Sequence, residues 1–237
     1  MRTKRVGFVA LLAAVGLALA VEPAAAQSVS DSTTESLIWG LNLQLLAIAI
    51  PITVLVEGIL IYTVWRFRDS ETALPTQENR RLEITWTVAT AIILLFVGVA
   101  SYQVLASPYV TASSQKNLDT AQEPLEVQVY AQRYSWEFQY PEQGITTTNT
   151  MVIPKDRVIR LNITSRDWLH SFHVPGLGLK KDAFPGQSNY LRTKVTDTGK
   201  YQLYCAEYCG VGHSTMLGTV DVRTQDGFQQ WVDQQQG

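Results

Sequence analysis

Two apolar runs, Leu37 to Tyr62 and Ile84 to Leu105, constrain this chain more than any other feature. Each is long enough to cross a hydrocarbon layer about 30 Å thick, which takes roughly 20 helical residues. Water is absent there, so the backbone must satisfy its own polar groups, and for one segment that means a helix. The first run holds one charged residue, Glu57, and the second none. A carboxylate at such a position either faces protein or water inside the membrane or snorkels to its edge. Pro51 predicts a bend in the first helix, its freed carbonyl satisfied by a neighbour. The connecting segment carries Arg66, Arg68, Arg80 and Arg81, whereas 27–36 and 106–115 contain no Lys or Arg. The positive-inside rule therefore puts the connection in the cytoplasm and both ends outside. The expectation is an N-out hairpin over 27–106, with helices at about 37–64 and 84–106. A shorter apolar run, Val6 to Val21, follows Arg2, Lys4 and Arg5 and leads to Ala24 and Ala26. That pattern predicts an export signal over 1–26, cleaved after Ala26.

Charged residues make up 17% of the chain, below the roughly 25% of a soluble domain. Aromatics at 10% and a net charge of −2 exclude a disordered chain, and the absence of a basic excess excludes nucleic acid as a partner. Beyond residue 107 the pattern turns to β. EVQVYAQRYSWEFQY, RVIRLNIT, NYLRTKV, KYQLYCAEY and MLGTVDV are rich in β-branched and aromatic residues and are separated by Pro, Gly and Asp turn signals. They predict a two-sheet sandwich over 107–237. Phe228, Trp231 and Val232 at helical spacing add a terminal helix packed on it.

Chemistry is localised by scarcity. The chain has three His, two Cys and three Met, and His170, His173, Cys205, Cys209, His213 and Met216 all fall in its last third. Two thiols, an imidazole and a thioether lie on one loop, Cys205 to Met216, and His170 is expected to join them from an earlier loop. Soft sulfur and imidazole donors favour copper. A mononuclear blue-copper site uses a single thiolate, so the second cysteine points to a bridged pair of ions and an electron relay. Two competing readings stay open: a disulfide, common for two cysteines in an oxidising compartment, and a structural Cys₂His₂ zinc site. Met216 argues against zinc, because thioether is a poor ligand for it. His173 is read as a packing or exposed residue.

The ordered set Asp-Trp-Leu-His170-Ser-Phe, then Leu-Lys180-Lys-Asp182-Ala-Phe-Pro-Gly, then the Cys205 to Met216 loop, resembles subunit II of bacterial cytochrome c oxidases of the haem-copper family. The resemblance implies a two-helix transmembrane hairpin carrying an all-β, cupredoxin-like Greek-key sandwich on the periplasmic side of the bacterial inner membrane. It implies a dinuclear copper centre, CuA, with Cys205 and Cys209 bridging, His170 and His213 binding one ion each, and Met216 and the backbone carbonyl of Glu207 as axial ligands. The Glu207 side chain would face a magnesium or manganese ion shared with subunit I, a hard cation suited to carboxylate oxygen. Asp182 resembles the acid that organises that interface. Electrons would enter by Tyr134 or Trp136, and Glu83 would stand at the mouth of a proton path. The sequence departs from the family at Thr90, where proline is common, and at Gln187, where arginine is common. Implied partners are subunit I, subunit III and cytochrome c, with oxygen reduced and protons pumped in another chain. The alternative is a membrane-anchored copper carrier, which would have no use for Glu83 or the Glu207 carboxylate.

Overall fold

The computed structural model describes residues 30–72, 75–111 and 123–237. The export signal expected over 1–26 lies outside the described residues. Helix α1 (Thr33–Phe67) and helix α2 (Arg80–Leu105) are both long and apolar enough to cross a membrane. Each starts four residues before its apolar run, because polar caps set the boundary. Ser32 Oγ accepts from the Glu35 N–H at 3.1 Å, and Asn79 Oδ1 accepts from the Leu82 N–H at 3.1 Å. The first helix continues through Pro51. At Thr90 the hydroxyl donates to the Trp86 carbonyl at 2.9 Å within the second helix. Almost every side chain of the two helices is uncovered by the rest of the chain. Segments this apolar and this uncovered anchor the chain in a membrane.

The N-terminal end of α1 is tied to the β domain. Ser32 pairs with Val195 in an isolated bridge, and its hydroxyl donates to the Leu177 carbonyl at 2.6 Å. The Thr196 N–H donates to the Asp31 carbonyl at 2.9 Å. Gly178, at φ +63°, lies against the helix so closely that a Cβ there would stand 3.0 Å from Glu35 Cα. Thr34 Oγ1 donates to the Tyr109 carbonyl at 3.3 Å, joining the ends of both helices.

The sandwich is built from ten strands: β1 (Leu125–Gln132), β2 (Ser135–Tyr140), β3 (Ile145–Thr148), β4 (Thr150–Pro154), β5 (Val158–Ser165), β6 (His170–Val174), β7 (Leu179–Ala183), β8 (Asn189–Lys194), β9 (Gly199–Cys205) and β10 (Leu217–Arg223). One sheet runs β3-β2-β1-β5-β8 and the other β4-β10-β9-β6-β7. Each is mixed, with β1 parallel to β5 and β4 parallel to β10. The core follows from alternation: Leu125, Val127, Val129 and Ala131 point inward from β1 and Trp136, Phe138 and Tyr140 from β2, facing Phe172, Val174, Leu203, Val220 and Val222.

Two expectations need correction. The stretch 126–140 is a hairpin rather than one strand, with Gln132 paired to Ser135 across Arg133 and Tyr134. His170 is the first residue of β6 and not a loop residue. The terminal helix α3 (Gln225–Gln236) buries Phe228, Trp231 and Val232 as expected. Trp231 packs edge-on against Tyr140, with ring centroids 5.2 Å apart. The Tyr140 hydroxyl is pinned by Val152, donating to its carbonyl at 3.0 Å and accepting from its N–H at 2.7 Å. Trp231→Ala is expected to destabilise the sandwich by about 3 kcal/mol, the range for emptying a large buried ring, measured as a lowered midpoint of denaturant unfolding followed by near-ultraviolet circular dichroism.

Candidate metal centre

Strand pairing brings the rare residues together. Cys205 ends β9 and Met216 stands immediately before β10; these strands are antiparallel neighbours, and the Cys205 N–H donates to the Met216 carbonyl at 3.1 Å. The chain between them is an excursion from one hairpin, with a 3₁₀ turn at His213–Thr215. On its other side β9 pairs with β6, Cys205 opposite Phe172, and the Ala206 N–H donates to the Ser171 carbonyl at 2.9 Å. His170 therefore sits at the same sheet end as Cys205.

The two thiol sulfurs are 3.9 Å apart. Cys205 Sγ is 3.8 Å from His170 Nδ1 and 3.2 Å from the Glu207 carbonyl oxygen. Cys209 Sγ is 3.6 Å from His213 Nδ1 and 3.8 Å from Met216 Sδ. Each sulfur thus has its own imidazole and its own weaker donor. His170, Cys205, Cys209 and Met216 are buried, and both cysteines are free.

Burial pushes the Cys205 thiol up, but contacts with His170, the Ser171 and Glu207 backbone and His213 outweigh it and bring the group down to about 6. Burial and the neighbouring Cys205 charge push Cys209 up to about 11. The two thiols are coupled, since burial and the charge of the first to ionise oppose ionisation of the second, so a bound cation has to supply the charge that allows both to ionise. Burial disfavours the charged form of His170, yet Cys205 and Asp167 together hold its imidazole above the usual value.

The residues fit a copper pair. The donors are soft, two sulfurs are close enough to be shared, and a thioether lies beside one of them. A single Cys₂His₂ zinc ion would leave the buried Met216 without a role.

Sequence reasoning missed a supporting shell. Asp167 Oδ1 is 2.9 Å from His170 Nε2, and Asp167 Oδ2 accepts the Arg133 N–H at 2.9 Å. Arg133 Nε in turn donates to the Cys209 carbonyl at 3.0 Å. The signal was an Asp three residues before a ligand His, readable as the carboxylate that orients an imidazole. Tyr134 lies flat on the loop; a Cβ on Gly212 would overlap its ring. Trp136 is fully buried, 5.6 Å from Phe172 and 6.4 Å from His170 between ring centroids. His173 stays outside the donor set, its ring 4.9 Å from that of Tyr204; burial and Lys180 hold it below its usual value. Glu207 lines, with Asp182, Lys180, Lys181, Phe184 and Asn189, a cavity of about 400 Å³. Glu83 lies in the first turn of α2, remote in the fold from the donor set.

Sequence comparison agrees with this picture. The family model described as "Cytochrome C oxidase subunit II, periplasmic domain" matches residues 142–222, and "Cytochrome C oxidase subunit II, transmembrane domain" matches residues 19–104. A probable cytochrome c oxidase subunit 2 of Rickettsia prowazekii (strain Madrid E) is 30% identical over 211 residues, covering 79% of this chain and 64% of that protein; the chain thus spans just under two thirds of this relative's length. Cytochrome c oxidase subunit 2 of Thermostichus vulcanus is 30% identical over 240 residues, covering 81% of this chain and 73% of that protein. Heme-copper oxidase subunit 2 of Aeropyrum pernix is 31% identical over 206 residues, covering 82% and 88% respectively.

If Asp167 orients His170, then Asp167→Ala in the full-length chain weakens copper binding by about 10- to 100-fold, read by competition with a chelator of known affinity. Unchanged affinity would remove Asp167 from the site.

Proposed function

The chain belongs to the cytochrome c oxidase subunit II family, and on that premise we propose that it is the subunit of a haem-copper terminal oxidase that receives electrons from a reduced cytochrome c and hands them to haem in subunit I. The observation that carries this reading is the pair of thiols 3.9 Å apart, each beside its own imidazole. Cys205 and Cys209 would bridge two coppers, with His170 and His213 on one each and Met216 and the Glu207 carbonyl as weaker ligands. Bound there, the copper pair supplies a one-electron relay whose charge is spread over two metals and two sulfurs.

The chain's own residues supply the setting. The sandwich core and the covering loop keep water from the buried sulfurs, which lowers the rearrangement that accompanies a change of charge. Asp167 fixes the ring of His170, and Arg133 holds the loop at Cys209. Tyr134, stacked on the loop, and Trp136, packed near His170, are the aromatic residues through which electrons would enter. The cavity shared by Glu207 and Asp182 supports a magnesium or manganese site completed by subunit I, since its carboxylates suit a hard cation. Glu83 in the first turn of α2 would collect protons at the cytoplasmic mouth of a path into subunit I. Residues 1–26 would be removed on export, 27–106 would form the N-out hairpin, and 107–237 would stand in the periplasm above the inner membrane. Subunit III would complete the complex.

The full-length chain in detergent, loaded with copper, is expected to hold two coppers and to show an electron paramagnetic resonance spectrum of one unpaired electron shared equally by both nuclei. Cys209→Ser is expected to abolish that shared signal. One copper per chain, zinc preference, or a disulfide that shuts out metal would overturn the relay and leave a carrier or a stapled domain.

A further inference from the structure

This inference rests on the electron-receiving role just proposed and concerns what the donor protein touches. Trp136 is fully buried, so no partner reaches it, and Tyr134 is partly covered by the loop it supports. Trp168 is different. It lies two residues before His170, and 53% of it is exposed. Its indole sits on the Arg133 guanidinium, 4.9 Å from carbon to ring centroid, and Arg133 Nε donates to the Cys209 carbonyl at 3.0 Å. The backbone N–H of Trp168, not its indole, donates at 2.7 Å to Asp167 Oδ1, the oxygen that also meets His170 Nε2. One exposed aromatic residue is therefore braced, through single intermediaries, against both halves of the donor set.

The same rim presents Val211, 98% exposed, and Tyr208, 71% exposed, both from the ligand loop. Large apolar side chains left in water beside a buried site mark a contact surface, and Trp is the residue type most often dominant in one. Net charge supplies no strong long-range steering, because residues 107–237 hold 12 Lys and Arg against 13 Asp and Glu. A nearly balanced domain has little long-range pull on a charged partner.

We propose that Trp168, braced on Arg133, is the central contact for the electron-donor protein, a haem protein of the cytochrome c class, and that the contact is apolar rather than ionic. Arg133 restrains the indole, so little side-chain freedom is lost when the partner docks. The aromatic face would set the donor directly over the strand end that carries His170 and Cys205.

The test uses the full-length chain in detergent and a cytochrome c whose haem iron is replaced by zinc, so that binding is read without electron transfer. Trp168→Ala is expected to raise Kd at least about tenfold, and Trp168→Phe to restore most of the affinity. Kd of the wild-type chain is expected to change little as salt rises from low to physiological levels. The copper spectrum of Trp168→Ala should match wild type, showing that the donor set is intact. Wild-type affinity in Trp168→Ala with that spectrum unchanged would overturn the docking contact and leave the electron-receiving role standing. A concentration-dependent dimer that Trp168→Ala abolishes would do the same, whereas a wild-type chain that does not bind the cytochrome would overturn both the contact and the cytochrome donor proposed above. Loss of the shared-electron spectrum in the wild-type chain itself would instead strike the role on which the contact rests.

Discussion

The pairing of β9 with β6 on one side and β10 on the other holds the whole site in place. Adjacent strands are about 4.8 Å apart, so three residues at one end of three neighbouring strands are held at a spacing suited to shared ligation. His170 opens β6, Cys205 closes β9 and Met216 leads into β10. The loop itself carries Cys209 and His213, and it is pinned at its base by the bond from Cys205 to Met216 and along its flank by Arg133. Donors mounted on strand ends have little freedom left to lose. The position of the sulfurs is a property of the sheet, and the loop adds the second half of the set to a frame already built.

The frame also explains why the two thiols resist ionising together. Cys205 lies where backbone and imidazole groups converge, whereas Cys209 lies beside the charge that Cys205 develops. An arrangement that costs little with one thiolate resists a second until a cation arrives.

The hairpin and the donor residues were legible because their signals are rare and local: two mostly apolar runs of 26 and 22 residues, 37–62 and 84–105, and every His and Cys in one stretch. Other features were hidden because their causes are distant in sequence. The turn at Arg133 and Tyr134 carries no Gly, Pro or Asn, and it is held by Asp167, 34 positions away. Strand β6 reads His-Ser-Phe-His-Val and mixes polar with apolar residues, so its strand character comes from the neighbours it pairs with. Strand β3, Ile-Thr-Thr-Thr, is too short to show a period. The link from Asp167 to Arg133 could not be assembled from spacing, because it forms only when the β1–β2 turn meets the β5–β6 connection.

The tie between Ser32, Asp31 and the strand end at Val195 and Thr196 has a mechanical consequence. Helix α1 runs 35 residues without a break, about 50 Å at 1.5 Å per residue, which is longer than a hydrocarbon core and leaves its outer turns in the headgroup layer or beyond. Clamped there by side-chain and main-chain bonds and by the close fit at Gly178, the sandwich is bracketed to the helix rather than tethered by a slack linker. A bracket sets standoff and tilt. The height of the sulfur pair relative to the membrane plane is then fixed within the chain itself, and in the proposed relay tunnelling, which falls off exponentially with distance, would meet nearly the same gap on every turnover.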